Sequence, residues 1–360
     1  MNILHISPNF NYSCGVSKHV FESIKYFNNR KEYNVHFITN GGDALSKLEK
    51  YNIEYSLFHF SKGWSNIFYI PFNHFQLKSF CIKKKIDIIH THHRYPELLS
   101  TLVAKRSNIK TITTVHSLVK GYKNISFRSD RIIAVSNTVE KSIIKNFHIN
   151  KNKIELLYNC VAAEDRPDAE RVEKLREKLN IKKTEYVILF LGRINRIKGI
   201  DVLIKSFRKV RSTNSQIKLL LLGDIEYKTI RNLDVKQDKE IYFIKAQEDV
   251  TLYYGLCNIV VLSSRVESFP YLMLEAGYFK KPFIGSRTGG IAEFIEDGTN
   301  GFLFEPGNAD DLADKIKFVI NNPEKAKSAA NELHKKVKKY CNYEEYFARL
   351  RSIYEELLEV

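Results

Sequence analysis

Short apolar runs of strand length alternate with helix-length segments from one end of this 360-residue chain to the other, and that alternation limits the folds open to it. In the first half the runs are residues 3–6, 34–38, 86–90, 111–115, 131–135 and 154–158, and in the second they are 186–191, 217–222, 241–244, 258–262 and 282–285. They are nearly continuous in Ile, Val, Leu and Phe, the pattern of strands covered on both faces, and helix-length connections between them give parallel sheets. Residues 161–168 are polar and strandless and precede a charged helical stretch over 169–179, which makes them the natural linker. The expected architecture is therefore α/β, with two doubly wound domains over 1–165 and 166–340 facing across a cleft. A C-terminal helix over 341–360, with Tyr346, Leu350, Ile353 and Leu357 on one apolar stripe, is expected to pack back on the first domain. Open sheets of this kind bind ligands beyond the carboxyl ends of their strands, so those ends are where chemistry is sought.

Composition narrows the class of protein. No apolar run approaches the roughly 18 residues of a membrane-crossing helix, and the first residues lack a signal-peptide core, so a cytoplasmic location is expected. The five cysteines are scattered and odd in number, without metal-ligand spacing, and read as free thiols. The net charge is +16, and the first 170 residues hold 24 Lys and Arg against 14 Asp and Glu. Such an excess suits anionic partners: phosphorylated small molecules, acidic lipid or nucleic acid.

Four strand ends carry candidate ligand groups. After residues 258–262 come Glu267 and Glu275, eight residues apart, with Pro270 suited to the first turn of a helix over about 270–279 and Ser268 a candidate cap. Glu267 then stands in a loop and Glu275 about a turn and a half into the helix, two carboxylates able to accept from hydroxyl groups. After 186–191, Gly192, Arg193, Lys198 and Gly199 lead into an amphipathic helix; the two cations suit a diphosphate without a metal ion. The run 217–222 stops at Gly223. After 282–285, Gly289 and Gly290 precede a further helix and are placed to present N–H groups to a phosphate or sugar.

The order and spacing of Gly192-Arg193, Lys198-Gly199-Ile200-Asp201, Glu267 to Glu275-Ala276, Lys281-Pro282, Thr288-Gly289-Gly290, Glu293, Asp297-Gly298 and Asn300-Gly301 resemble the family 4 retaining glycosyltransferases of the GT-B fold, whose two domains are Rossmann-like. The resemblance covers about 120 residues here and, more loosely, the first half through Gly15-Val16-Ser17, His116, Ser136-Asn137 and Tyr158-Asn159. It implies an N-terminal acceptor domain and a C-terminal nucleotide-sugar domain. It further implies a UDP- or GDP-linked donor, a glycan or lipid-linked acceptor in surface polysaccharide or lipopolysaccharide assembly, and no metal or other cofactor. By the same resemblance Glu275 accepts from ribose hydroxyls and Glu267 from the sugar, while Arg193 and Lys198 hold the diphosphate. Phe269, Pro270, Tyr271 and Leu272 border sugar and phosphate, Gly15 faces the phosphates, and His116 lies near the donor sugar. The chain departs from the family pattern at Ser268, Pro270 and Cys160, where glycines are usual.

Two features stay open on the sequence. His90, His92 and His93 end another strand, but nothing nearby in sequence completes a metal-ligand set. Residues 61–85 interleave aromatics, including Trp64, with lysines, and are either a core helix with a basic end or a segment for an anionic membrane. No RNA-binding signature accompanies them, so nucleic acid is not an expected partner. The rival functions are a nucleotide-sugar epimerase of the same fold and a non-catalytic basic protein that binds nucleic acid or lipid.

Overall fold

The computed structural model describes residues 1–60, 66–105, 107–162, 166–226 and 238–359. Its chain forms two compact units, Met1–Asn159 with Glu344–Val360, and Cys160–Tyr343. Trp64 and part of the expected linker, residues 163–165, lie outside the described residues.

The first unit holds β1 (Asn2–Ile6), β2 (Asn34–Thr39), β3 (Tyr55–Leu57), β4 (Ile88–Thr91), β5 (Lys110–Val115), β6 (Arg131–Ala134) and β7 (Ile154–Leu156). They form one parallel sheet in the order β3-β2-β1-β4-β5-β6-β7. From β1 the chain builds outward one way and then returns to add β4 on the other side, so the strand order reverses between β1 and β4. The second unit holds β8 (Tyr186–Leu191), β9 (Ile217–Leu222), β10 (Ile241–Ile244), β11 (Ile259–Leu262), β12 (Phe283–Ser286) and β13 (Phe302–Phe304), ordered β10-β9-β8-β11-β12-β13. Its reversal lies between β8 and β11, whose direct pairing is Ile259 with Ile188 and Val260 with Leu189.

The apolar runs became central strands because each is packed on both faces. Leu4, Ile6, Ile88, Ile89, Ile132, Leu189, Leu220, Val260 and Ile284 are all buried. β3 and β13 have no counterpart among the expected strands: each is three residues long at a sheet edge, too short to register as a run. Residues 86 and 87 fall outside β4 because the Ile86 N–H is bonded back to the Cys81 carbonyl, closing the preceding helix, with Lys85 in the left-handed conformation.

The helix Asn66–Lys84 is two-faced. Asn73, Leu77 and Cys81 are buried on the core side, while Phe68, Phe72, Phe75 and Ile82 stand exposed on the other. On the C-terminal helix, Tyr343–Glu359, the stripe residues Tyr346, Leu350, Ile353 and Leu357 are buried in the first unit, where Phe347 stacks on Tyr26 and Tyr354 packs on Phe27. No helix among the described residues is long and apolar enough to cross a membrane. No disulfide joins any two of the five cysteines.

Candidate functional site

In the second unit the loops after β8 and β11 lie side by side where the strand order reverses, and they are stitched together by their own hydrogen bonds. Ser263 Oγ donates to the Lys198 and Gly199 carbonyls at 2.9 Å each. The Arg265 N–H donates to the Ile197 carbonyl at 2.8 Å, and its guanidinium reaches the Arg196 carbonyl at 2.6 Å. That guanidinium also grips Asp201 with two parallel bonds of 2.7 Å. Burial works against the Asp201 charge, but the guanidinium outweighs it and holds the carboxyl below its usual range. Arg265 was not singled out on the sequence; its position in a loop of charged residues gave no hint of a partner 64 residues away.

Within this frame Lys198 Nζ meets Glu267 Oε2 at 2.5 Å, and Ser264 Oγ donates to the same oxygen at 2.9 Å. Two groups assigned to different parts of a ligand are thus in direct contact, both partly exposed. Arg193 stands exposed at the head of the same loop, and its side chain bonds to no described residue.

The glycines of the motif are explained by the same stitching. A Cβ on Gly199, which has φ +68°, would lie 1.8 Å from the Ser263 carbonyl oxygen. On Gly289, φ +47°, it would lie 1.7 Å from that of Glu267, and on Gly290, 1.8 Å from that of Ser268. A Cβ on Gly223 would meet the Gly192 carbonyl at 2.1 Å. These positions let the chain's own backbone approach, which shapes the loop that carries Glu267.

Glu275 lies on the helix Tyr271–Tyr278 and is buried, with Oε2 accepting from the Tyr254 hydroxyl. Pro270, in extended conformation, stands at the cap position of that helix without a side-chain bond, and Ser268 does not cap it. The N–H groups of Tyr271 and Leu272 therefore belong to the uncapped first turn. Phe269 packs edge-on against Phe294.

In the first unit, the sites at the ends of β1, β4 and β5 come together. Gly15 opens the helix Gly15–Asn28 and is exposed, while His19 on its buried face stands 4.7 Å, ring centre to ring centre, from His116 at the end of β5. His92 lies between His5 and His116, with nitrogen–nitrogen distances of 3.2 Å to each. His90 is bonded through both nitrogens, to Tyr354 at 2.6 Å and Thr114 at 2.7 Å. The segment that follows His116 is anchored by Glu97, whose carboxylate accepts from the N–H groups of Phe127, Arg128 and Ser129.

Burial, joined by repulsion from His19, takes the His5 pKa down to about 3, and burial takes His19 to about 3 and His93 to about 4. Desolvation, followed by repulsion from neighbouring imidazoles, places His90, His92 and His116 well below the usual histidine range. The expectation that nothing completes a ligand set around His90, His92 and His93 is corrected by His5, His19 and His116. Ligand nitrogens of His5, His90 and His92, and of His19, His92 and His116, lie within 4.8 Å of one another. Neither triplet includes a carboxylate to offset a cation, and both nitrogens of His90 and of His92 are engaged in hydrogen bonds. That chemistry fits a network of neutral imidazoles.

Comparison with known proteins gives the same picture from outside. Residues 171–336 match the family model for glycosyl transferases group 1, and residues 14–165 match that for glycosyltransferase family 4. The chain is 28% identical, over 99% of its length and 99% of the relative's, to an uncharacterised glycosyltransferase of Methanocaldococcus jannaschii. It is 28% identical, over 65% of its length and 63% of the relative's, to a capsular polysaccharide biosynthesis glycosyltransferase of Staphylococcus aureus. The Anabaena protein HepE, solved in complex with UDP-glucose, superposes with a TM-score of 0.87 over 99% of this chain and 100% of that one. At 17% identity this last match speaks for the fold, GT-B.

Proposed function

The chain belongs to the group 1, family 4 glycosyltransferases of the GT-B fold, and on that premise we propose that it transfers a sugar, with retained anomeric configuration, from a nucleoside diphosphate to a glycan or lipid-linked acceptor. UDP is the favoured nucleotide, and surface polysaccharide assembly the favoured setting, in keeping with what HepE was solved with and with the capsular relative.

One observation carries this reading: Lys198 and Glu267 meet at 2.5 Å in a loop frame fixed by Ser263, Ser264 and Arg265. A cation for the diphosphate beside a carboxylate for sugar hydroxyls brackets the bond that must break. In the reaction the bond from the sugar's anomeric carbon to the diphosphate oxygen breaks, and its electron pair leaves with the diphosphate. Lys198 and Arg193 stabilise the growing negative charge. The acceptor hydroxyl bonds to the same face of the anomeric carbon, and its proton passes to the departing diphosphate. Glu275, steadied by Tyr254, holds the ribose, and His116 serves the transferred sugar. With two cations supplying the charge, we infer that no metal ion is needed; turnover unchanged in excess chelator is the expected result, and restoration by added Mg²⁺ after a loss refutes that inference.

The role division is tested by turnover and by calorimetry with free UDP. Lys198→Ala should cost about 2–4 kcal/mol of transition-state stabilisation, roughly thirtyfold to a thousandfold in rate. Glu267→Gln should lower turnover and leave free UDP binding nearly intact, whereas Glu275→Gln should weaken nucleotide binding first. Wild-type turnover in Lys198→Ala, or equal loss of UDP affinity in both glutamate variants, overturns the assignment. For the acceptor side, the exposed aromatic face of the helix Asn66–Lys84 is proposed to rest on an anionic membrane.

A further inference from the structure

His5, His92 and His116 form a run of two hydrogen bonds between ring nitrogens: His5 Nδ1 with His92 Nε2, and His92 Nδ1 with His116 Nε2. A neutral imidazole has one N–H and one lone pair, and each of these bonds needs one of each. The three rings must therefore share a tautomer. If His5 carries its proton on Nδ1, it donates to His92 Nε2; His92 then has Nδ1–H to give to His116 Nε2, and His116 is left with Nδ1–H. Run the other way, all three carry the proton on Nε2.

The far end of the run separates the two arrangements. His5 is fully buried, and its Nε2 has no hydrogen-bond partner among the described residues. With protons on Nε2 that atom would be an N–H donor stranded in a dry interior, the rarer defect in folded proteins; with protons on Nδ1 it is an unused lone pair. His90 cannot relieve it, because both its nitrogens are spent on Tyr354 and Thr114. His19 stands edge-on to both His92 and His116, with Tyr346 on its Nε2.

We propose that His5 and His92 are positioning residues that hold His116 in the Nδ1–H tautomer, so that its Nδ1, bonded to no described residue, is offered to a sugar oxygen as a hydrogen-bond donor. This rests on the reading of His116 as the sugar's partner, and it deepens that reading: the residue donates a hydrogen bond and does not act as a base through Nδ1.

Long-range nitrogen–proton NMR spectra of the full chain at neutral pH report which nitrogen of each ring is protonated. The expected result is protonated Nδ1 on His5, His92 and His116. In His92→Phe the His116 signals should move to include the Nε2–H form, and in His92→Asn, whose amide nitrogen reaches close to the place of Nδ1, they should return to Nδ1–H. Wild-type His116 protonated on Nε2, or a His116 tautomer indifferent to His92→Phe, overturns the proposal. Should His92→Phe fail to fold, the wild-type spectrum decides alone. Turnover of His116→Ala is read separately: undiminished sugar transfer would remove His116 from the sugar site, whatever the tautomer proves to be.

Discussion

A carboxylate gripped by two parallel N–H bonds keeps its charge even when half-buried, and Asp201 uses that grip to fasten the loop that carries Glu267. The pair is partly exposed, so its coupling should be modest, about 1 kcal/mol at neutral pH. Because the folded-state pKa of Asp201 is depressed, its stabilising share is complete above the ordinary aspartate value near 4 and fades as pH falls through the folded value below it. A double-mutant cycle of Asp201→Asn and Arg265→Ala, followed by urea unfolding, should show that coupling at pH 7 and its decline below about pH 4; no coupling at pH 7 would contradict the fastening role. Residue identity was legible in the sequence further than residue partnership. Gly289 and Gly290 read as glycines because something must come close, and something does: the carbonyls of Glu267 and Ser268. What comes close is decided by the adjacency of β11 and β12, which no local pattern announces.

At the scale of elements, the central strands were readable because burial on both faces forces an unbroken apolar run, as in Tyr186–Leu191 and Ile217–Leu222, which match their expected bounds. The edge strands β3 and β13 were not, since an edge needs only a few paired residues, and β3 keeps every one of its three at least partly exposed. The histidine network was only partly visible for a related reason: His90 and His92 share one strand end, but His5, His19 and His116 come from three other segments and join them only once β1, β4 and β5 are neighbours. The strand-end loops of the second unit give an element-level test. Gly289→Ala would drive a Cβ into the Glu267 carbonyl, so it should lower both stability and turnover by shifting that loop. Gly298 has φ +79° but nothing within 4 Å of the place a methyl group would take, so Gly298→Ala should cost only the left-handed strain, about 1 kcal/mol, with turnover unchanged. Melting temperatures and rates of the two variants, measured side by side, check the contrast; equal turnover in both would mean that the Glu267 loop does not depend on Gly289.

For the whole molecule the net charge of +16 acquires a direction from one helix. Asn66–Lys84 contains no acidic residue, ends in Lys83 and Lys84, and exposes Phe68, Phe72, Phe75 and Ile82 at spacings of four, three and seven, one stripe along its length. Leu77 and Cys81 occupy the opposite, buried side, so the helix is fixed to the first unit with its aromatic stripe outward. Phe68 is 86% exposed and Phe75 74%, and a contiguous apolar stripe on the surface is the kind of feature that marks an interaction site. An aromatic stripe flanked by lysines suits the headgroup boundary of an anionic bilayer, each lysine near the surface adding about 1 kcal/mol. The full chain should sediment with vesicles rich in phosphatidylglycerol, much less with phosphatidylcholine vesicles, and progressively less as salt is raised. Phe72→Glu with Phe75→Glu should leave the protein in the supernatant while transfer to a soluble acceptor analogue persists. Equal binding to neutral vesicles, or a concentration-dependent dimer that the same two substitutions dissolve, would replace the membrane with another occupant for that face.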